Sequence, residues 1–432
     1  MKKLLLSLLA LSLLALTACV PADSTGSNAV KALEGDTLYS DVQREASPEV
    51  SQADQEKLVD GNTQFALDLY QTLKDEGDNL VYSPLSISLA LAMTYAGARG
   101  ETEQQMADTL NFNLGQAELH PAFNWLDYQL AQREDFVKRN DDEELQLNVV
   151  NAIWGQLDYE FLVDFLDVLA ENYGAGLRGL DFINQPDESR ITINDWVSEQ
   201  TEGRIEDLIP QGAINPMTHL VLTNAIYFNA TWQHLFFEES TYDDTFYLLD
   251  GSQISVEMMH QVEQLGYTEG SGYQAVELKY SGSEVSMVIL LPEADSFEAF
   301  ESSLDADKLN GIIDNIKDTR VTLSMPRFSF NSDFKLANIL SDMGMADAFS
   351  GQADFSGMTN VEELFIDDVV HKAFISVDEN GTEAAAATAV IMAGAAPMET
   401  ASIDVNSPFI FLIRDIPTNS VLFMGRVLNP AE

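Results

Sequence analysis

Cysteine is almost absent from this chain: Cys19 is the 1 cysteine in 432 residues. A lone thiol excludes an internal disulfide and any multi-cysteine metal site. Basic residues are scarce as well, with 22 Lys and Arg against 70 Asp and Glu, a formal net charge of −48. So few cations exclude nucleic acid and heparin-like polyanions as partners, because nothing here can replace their counterions. The acidic excess reads as a solvated surface. Beyond the first residues no apolar run is long enough to span a bilayer. His120, His219, His234, His260 and His371 show no paired metal-ligand spacing. There is no Gly-x-Ser-x-Gly elbow, phosphate-cradling loop or zinc-protease motif. No metal or cofactor is expected, and the chain does not read as an enzyme. One glycine pattern, Gly174-Ala175-Gly176-Leu177-Arg178-Gly179, matches a dinucleotide fingerprint in letters. Its context is reversed, with a helix-like stretch before it and a short strand-like one after it, so it reads as a connecting loop.

What is present begins with a targeting device. Lys2 and Lys3 precede a short apolar stretch over residues 4–16, and Leu16-Thr17-Ala18-Cys19 resembles a bacterial lipobox. Residues 1–18 are therefore read as a lipoprotein signal peptide, with Cys19 lipidated. Acyl chains at roughly 0.8 kcal/mol per buried methylene would hold the protein on a membrane. Val20 follows Cys19; by resemblance to lipoprotein sorting patterns this favours the outer membrane or cell surface. Residues 19–57, rich in Ser, Asp, Glu, Ala and Gln, read as a flexible tether.

Residues 58–432 read as one domain. Phe65, Leu69 and Leu73 recur at helical spacing, with Asn62 or Thr63 as the cap and Gly77 as the end. Residues 83–93 are apolar nearly all round, which predicts a buried helix. Thr102 and Gln105 have capping-box spacing ahead of Met106. Ile193, Trp196 and Val197 mark a further helix closed near Gly203. Residues 220–228 and 286–291 are apolar runs of buried-strand length, and residues 409–413 and 421–424 flank a hairpin turn at Pro417-Thr418-Asn419. Helices dominate the first half and strands the second, an α+β arrangement without internal repeats.

The most informative stretch is residues 377–390. A strand-like segment breaks at Gly381, then continues as Thr382-Glu383-Ala384-Ala385-Ala386-Ala387-Thr388-Ala389-Val390. Alanine is the best helix former. Yet every second residue, Thr382, Ala384, Ala386, Thr388 and Val390, is small or apolar, as a strand face entering a core requires. The alternate set, headed by Glu383, suits a more exposed side. Pattern alone leaves helix and insertable strand equally open.

The chain resembles the serpin family from about Thr63 to Pro430. The matching stretches are Tyr82-Ser83-Pro84-Leu85-Ser86-Ile87, Tyr95-Ala96-Gly97-Ala98-Arg99-Gly100-Glu101-Thr102, and Thr223-Asn224-Ala225-Ile226-Tyr227-Phe228 with Trp232. Further along come Val370-His371-Lys372-Ala373-Phe374, the run after Gly381, and Leu422-Phe423-Met424-Gly425-Arg426-Val427 with Asn429-Pro430. The resemblance implies three β-sheets, eight or nine helices and an exposed reactive loop, here about residues 379–407. It implies an inhibitor of serine proteases that acts as a suicide substrate. The protease forms a covalent acyl complex with the cut loop, which then inserts into the main sheet. Loop insertion of this kind is an established example of stored strain.

By the same resemblance Glu379, Gly381, Thr382, Ala384, Ala386 and Thr388 form the hinge. Gly381 would supply backbone freedom there, and Thr382, Ala384, Ala386 and Thr388 are small enough to slip between two strands. Ser83, Ser86, Asn224 and His371 form a polar shutter, Trp232 lies at the breach where insertion starts, and Lys279 is expected to pair with Glu379. Counting from Gly381 places the reactive bond at Ala395–Ala396, with Met398–Glu399 as runner-up. Alanine before the bond suits an elastase-like protease with a small pocket. The expected molecule is a lipid-anchored monomer of the cell envelope. The competing reading is a non-inhibitory binding or scaffold protein on the same body.

Overall fold

The computed structural model describes residues 29–31, 37–38, 40–76, 79–139, 145–360, 364–383 and 400–431. In chain order the strands are β1 (Ala29–Lys31), β2 (Thr37–Leu38), β3 (Leu80–Tyr82), β4 (Leu145–Gln156), β5 (Glu160–Leu162) and β6 (Leu177–Leu180). Then come β7 (Leu220–Thr231), β8 (Tyr242–Tyr247), β9 (Gln253–Gly270), β10 (Tyr273–Lys279), β11 (Val285–Pro292) and β12 (Lys317–Pro326). The last are β13 (Phe328–Lys335), β14 (Asp368–Val377), β15 (Gly381–Thr382), β16 (Thr400–Asp404), β17 (Phe409–Asp415) and β18 (Ser420–Val427). The α-helices among the described residues are α1 (Gln52–Leu73), α2 (Pro84–Tyr95), α3 (Gly100–Thr109), α4 (Gln116–Arg139) and α5 (Val163–Tyr173). They continue with α6 (Pro186–Gln200), α7 (Phe297–Ser302), α8 (Ala306–Asp314) and α9 (Leu336–Leu340).

Among the described residues the strands make a 7-stranded main sheet of order β13-β14-β15-β7-β4-β6-β2, a continuous 9-stranded sheet and a 2-stranded ribbon, β1 with β5. Every residue of β7 is buried, as expected of a central strand covered on both faces. Its side chains alternate between two cores. Leu220, Leu222, Ile226 and Phe228 join the large cluster that also holds α2. Val221 and Ala225 join a second cluster with Ile193 and Val197 of α6 and Ile205 beyond it. The main sheet therefore has the large core on one face and α6, with the segment that follows it, on the other.

Several helix ends differ from the sequence reading. The first helix starts at Gln52, where Ser51 Oγ accepts from the Asp54 N–H at 3.2 Å; Asn62 and Thr63 lie buried inside it rather than capping it, and Gly77 is outside the described residues. α3 starts at Gly100, and Thr102 Oγ1 instead accepts from the Asp354 N–H at 2.9 Å, tying two distant segments. α2 begins as expected, with Ser83 as its cap and Pro84 in the first turn. Gly174 closes α5 with φ +59, so the first glycine of the dinucleotide-like pattern is a left-handed helix cap. α5 precedes that pattern and β6 follows its start.

The tether also needs correction. Its last part is docked, so the folded body begins well before residue 58. β2 adds to the edge of the main sheet beside β6. Arg44 reaches Asn124 at 2.9 Å and Asp127 at 2.5 Å on α4, while the Glu45 N–H donates to the Glu171 carbonyl at 2.9 Å.

Candidate functional site

Two residues of the hinge are already strands of the main sheet. Thr382 pairs with Val377 of β14 and Ala230 of β7, and Gly381 with Thr231. Lower down, β14 and β7 pair directly and in parallel, from Asp368 with Val221 to Ala373 with Ile226. Between these two zones, residues 374–376 and 227–229 flank an opened wedge whose mouth is filled by β15. Thr382 is buried there, its Oγ1 2.7 Å from the Tyr280 hydroxyl. The glycine before it does something other than supply freedom. Its φ is not positive, but a Cβ at position 381 would lie 2.0 Å from the Ala230 carbonyl oxygen and 2.8 Å from Thr231 Cα. Close backbone approach, rather than flexibility, requires glycine here.

The mouth of the wedge is fixed by Trp232. Its indole stacks on Tyr280 with ring centroids 4.5 Å apart. The ring N–H donates to the Asp378 carbonyl at 3.0 Å, and the main-chain N–H to the Asn380 carbonyl at 2.7 Å. Trp232 thus holds the backbone turn immediately ahead of the hinge.

Glu379 is buried and does not pair with Lys279. Its carboxylate accepts from Arg327 through Nε, at 2.8 Å, and through Nη2, and from the Thr241 hydroxyl. Burial would raise the carboxyl pKa, but the hydrogen bonds from Arg327 and Thr241 outweigh it and hold the group below its ordinary value. Lys279 contributes its carbonyl, which accepts from the Gln233 N–H at 2.9 Å. The sequence reading chose a cation on β10. The structure uses one at the join of β12 and β13, the second of which pairs with β14 beside the hinge. A guanidinium matches a carboxylate fork with two parallel donors, which an ammonium cannot do.

Glu383 also departs from expectation. Its side chain is only 8% exposed, and its carboxylate lies 2.7 Å from Arg204 Nε. The Arg204 N–H does not aim at that oxygen, so the contact is coulombic rather than an aligned hydrogen bond. Burial holds the Glu383 carboxyl above its ordinary pKa; Arg204 opposes this and Glu202 adds to it.

The shutter residues do meet, beneath the point where β14 and β7 pair. His371 Nε2 accepts from the Ser83 N–H at 3.2 Å, which leaves its protonated Nδ1 to donate to Asn224 Oδ1. The Asn224 amide donates to Ser86 Oγ at 2.6 Å and to Asn151 Oδ1 at 2.5 Å, and Ser83 Oγ donates to the Leu422 carbonyl at 2.7 Å. Burial pushes the His371 pKa down to about 3, so the ring is neutral. The network crosslinks α2, β4, β7, β14 and β18 at the place where β14 pairs directly with β7.

A family model described as serpin (serine protease inhibitor) matches residues 60–430. The chain belongs to the serpin family. An uncharacterized serpin-like protein of Thermococcus kodakarensis is 41% identical over 384 residues, covering 88% of this chain and 87% of that one. The leukocyte elastase inhibitor of Homo sapiens is 38% identical over 387 residues, covering 87% of this chain and 100% of its own length. Among solved structures, the thermophilic serpin tengpin in its native state matches with a TM-score of 0.78 at 30% identity, covering 92% of this chain and 100% of that one.

For this serpin, sequence reasoning missed Arg327, Arg204, Thr241, Tyr280 and Asn151. One signal was available: cations are so few in this chain that each buried carboxylate has a short list of possible partners. The remaining hinge positions Ala384, Ala386 and Thr388, both candidate reactive bonds (Ala395–Ala396 and Met398–Glu399) and Cys19 lie outside the described residues.

Proposed function

We propose that this serpin inhibits serine proteases as a suicide substrate. The observation that carries the reading is Thr382, seated with Gly381 in a short strand, β15, between β14 and β7 where those two strands diverge. In the proposed sequence the protease serine oxygen attacks the carbonyl carbon of Ala395, and the bond to the nitrogen of Ala396 breaks. The leaving amine takes a proton from the protease's histidine, and the Ala395 acyl group stays esterified to the serine. The freed segment then continues the strand begun by Thr382. Its inward residues are small enough to pass between the flanking strands. About ten new backbone hydrogen bonds at roughly 0.5–1.5 kcal/mol each would release about 5–15 kcal/mol, on the scale of a whole domain's stability. Alanine at the cut bond favours elastase-like targets, and a leukocyte elastase inhibitor is among the relatives.

The same proposal places the protein on the cell envelope, anchored through lipidated Cys19 and acting as a monomer toward proteases outside the cell. Metabolic labelling with a radioactive fatty acid tests the anchor: label should follow the wild type and vanish in Cys19→Ala. The inhibitory reading is tested by mixing the protein with pancreatic elastase and running a denaturing gel. An SDS-stable adduct, with the released C-terminal fragment starting at Ala396, is expected. Cleavage without adduct would instead assign the molecule to the non-inhibitory class.

A further inference from the structure

β15 ends at Thr382, above the direct pairing of β14 with β7 that runs from Ala373 with Ile226 to Asp368 with Val221. Among the described residues, 374–376 and 227–229 separate that direct pairing from β15. The Glu383 N–H still donates to the Ser376 carbonyl at 3.0 Å, so the chain is bonded to β14 up to that atom. The strand ends at Glu383 itself, whose φ is +58, a left-handed conformation that an ordinary side chain resists. In that conformation its carboxylate lies 2.7 Å from Nε of the half-exposed Arg204. Arg204 is in turn tied to the end of α6: its N–H donates to the Thr201 carbonyl at 2.9 Å, and the Gly203 N–H to the Ser198 carbonyl at 2.8 Å.

Side-chain direction fits this role. Thr382 faces Tyr280 and the large core, so the next side chain along a strand points to the opposite face, where α6 and the segment after it lie. Glu383 reaches that layer through a left-handed turn instead of a strand step. To continue as a strand, residue 383 must rotate from φ +58 into the extended region, which keeps its side chain on the α6 face but moves the carboxylate from its present place beside Arg204.

We propose that the Glu383–Arg204 pair is the stop that holds loop insertion at two residues in the uncut molecule, making Arg204 a positioning residue for the trap. The stop rests on the inhibitory reading for its purpose but not for its test. Because the contact is coulombic, charge rather than fork geometry should matter. Glu383→Gln, Arg204→Gln, Arg204→Lys and the swap Glu383→Arg with Arg204→Glu are each incubated below their unfolding temperature. The fraction converted to an inserted form is followed by amide exchange at residues 227–229 and 374–376.

Glu383→Gln and Arg204→Gln should convert about five-fold faster than wild type, the scale of one partly exposed ion pair. Arg204→Lys should stay near wild type, and the swap should restore most of the lost lifetime, which general damage to the fold would not do. Equal or slower conversion of Glu383→Gln, or no conversion of any variant, overturns the stop. An elastase adduct formed by wild type alongside unchanged conversion rates removes the stop and leaves the inhibitor. Faster conversion without any adduct does the reverse.

Discussion

Arg327→Ala removes the cation that satisfies Glu379, whose side chain is 2% exposed. The carboxylate keeps the Thr241 hydroxyl but loses both guanidinium donors. Breaking a buried ion pair from one side costs about 3–5 kcal/mol. Arg327 itself is 34% exposed, so water can replace part of the loss, and about 2–3 kcal/mol is expected. With an unfolding entropy of about 2.1 cal/mol/K per residue, that lowers the midpoint by about 3 °C. Urea unfolding near pH 7 is the assay, with Lys279→Ala as the control at the partner expected from sequence, which should change stability by less than about 0.5 kcal/mol.

The pH dependence sharpens the test. Glu379 has a folded pKa below its unfolded one, so its contribution is present above the unfolded value and is lost as pH falls through the folded one. In Arg327→Ala the buried carboxylate has no counter-ion and its pKa moves upward instead. The gap between wild type and variant should therefore be widest near pH 7 and shrink as pH falls through the variant's raised pKa toward the lowered wild-type one. A gap that is absent at pH 7, or larger for Lys279→Ala than for Arg327→Ala, refutes the assignment.

Thr382→Arg would bury a guanidinium against the Tyr280 hydroxyl, at a cost of several kcal/mol; elastase should then cut the loop and be released, so that titration shows many molecules cleaved per protease inactivated. A variant that still traps one to one would show that position 382 does not enter the sheet. Gly381→Ala drives a Cβ into Ala230 and Thr231; β15 should leave the wedge, with about 1–3 kcal/mol lost and altered Trp232 fluorescence. An unchanged spectrum and stability would contradict the close approach. His371 and His120 are held neutral by burial, with pKa values pushed down to about 3 and about 4. The unfolded chain binds their protons first, so stability is full above about pH 6.5 and falls on acidification, by about 2 kcal/mol per histidine at pH 5. In His371→Gln the slope attributable to the pair should halve, and an unchanged slope would remove the neutral shutter histidine.

How much of this was legible in the sequence depends on what each residue needed to reveal itself. β7 was plain because burial on both faces leaves an unbroken apolar run. Ser83 and Pro84 announced α2 because cap and first turn are local features. The true start of α1 was missed because Ser51 sits in a stretch whose composition resembles a linker; what makes it structural is the docking of Arg44 on α4, some 80 residues away in sequence. Alternation left the hinge run open between helix and strand and only the family resemblance assigned it, and neither of its ion partners was foreseen. Glu379 meets Arg327 across 52 residues of sequence, and only the folded sheet order brings β12 and β13 to it. Glu383 looked like a surface position because alternation assigns it the outer face, and nothing local signals that the layer of α6 covers that face.

The central claim is that the uncut chain stores energy that loop insertion releases. The direct measurement is the unfolding midpoint of the protein before and after a single cut between residues 384 and 399, both fragments retained. A release of about 10 kcal/mol, against an unfolding entropy near 2.1 cal/mol/K per residue, predicts a rise of more than about 10 °C. A midpoint unchanged or lowered by the cut would mean that the wedge beneath Thr382 accepts no further strand, and the trap would have no driving force.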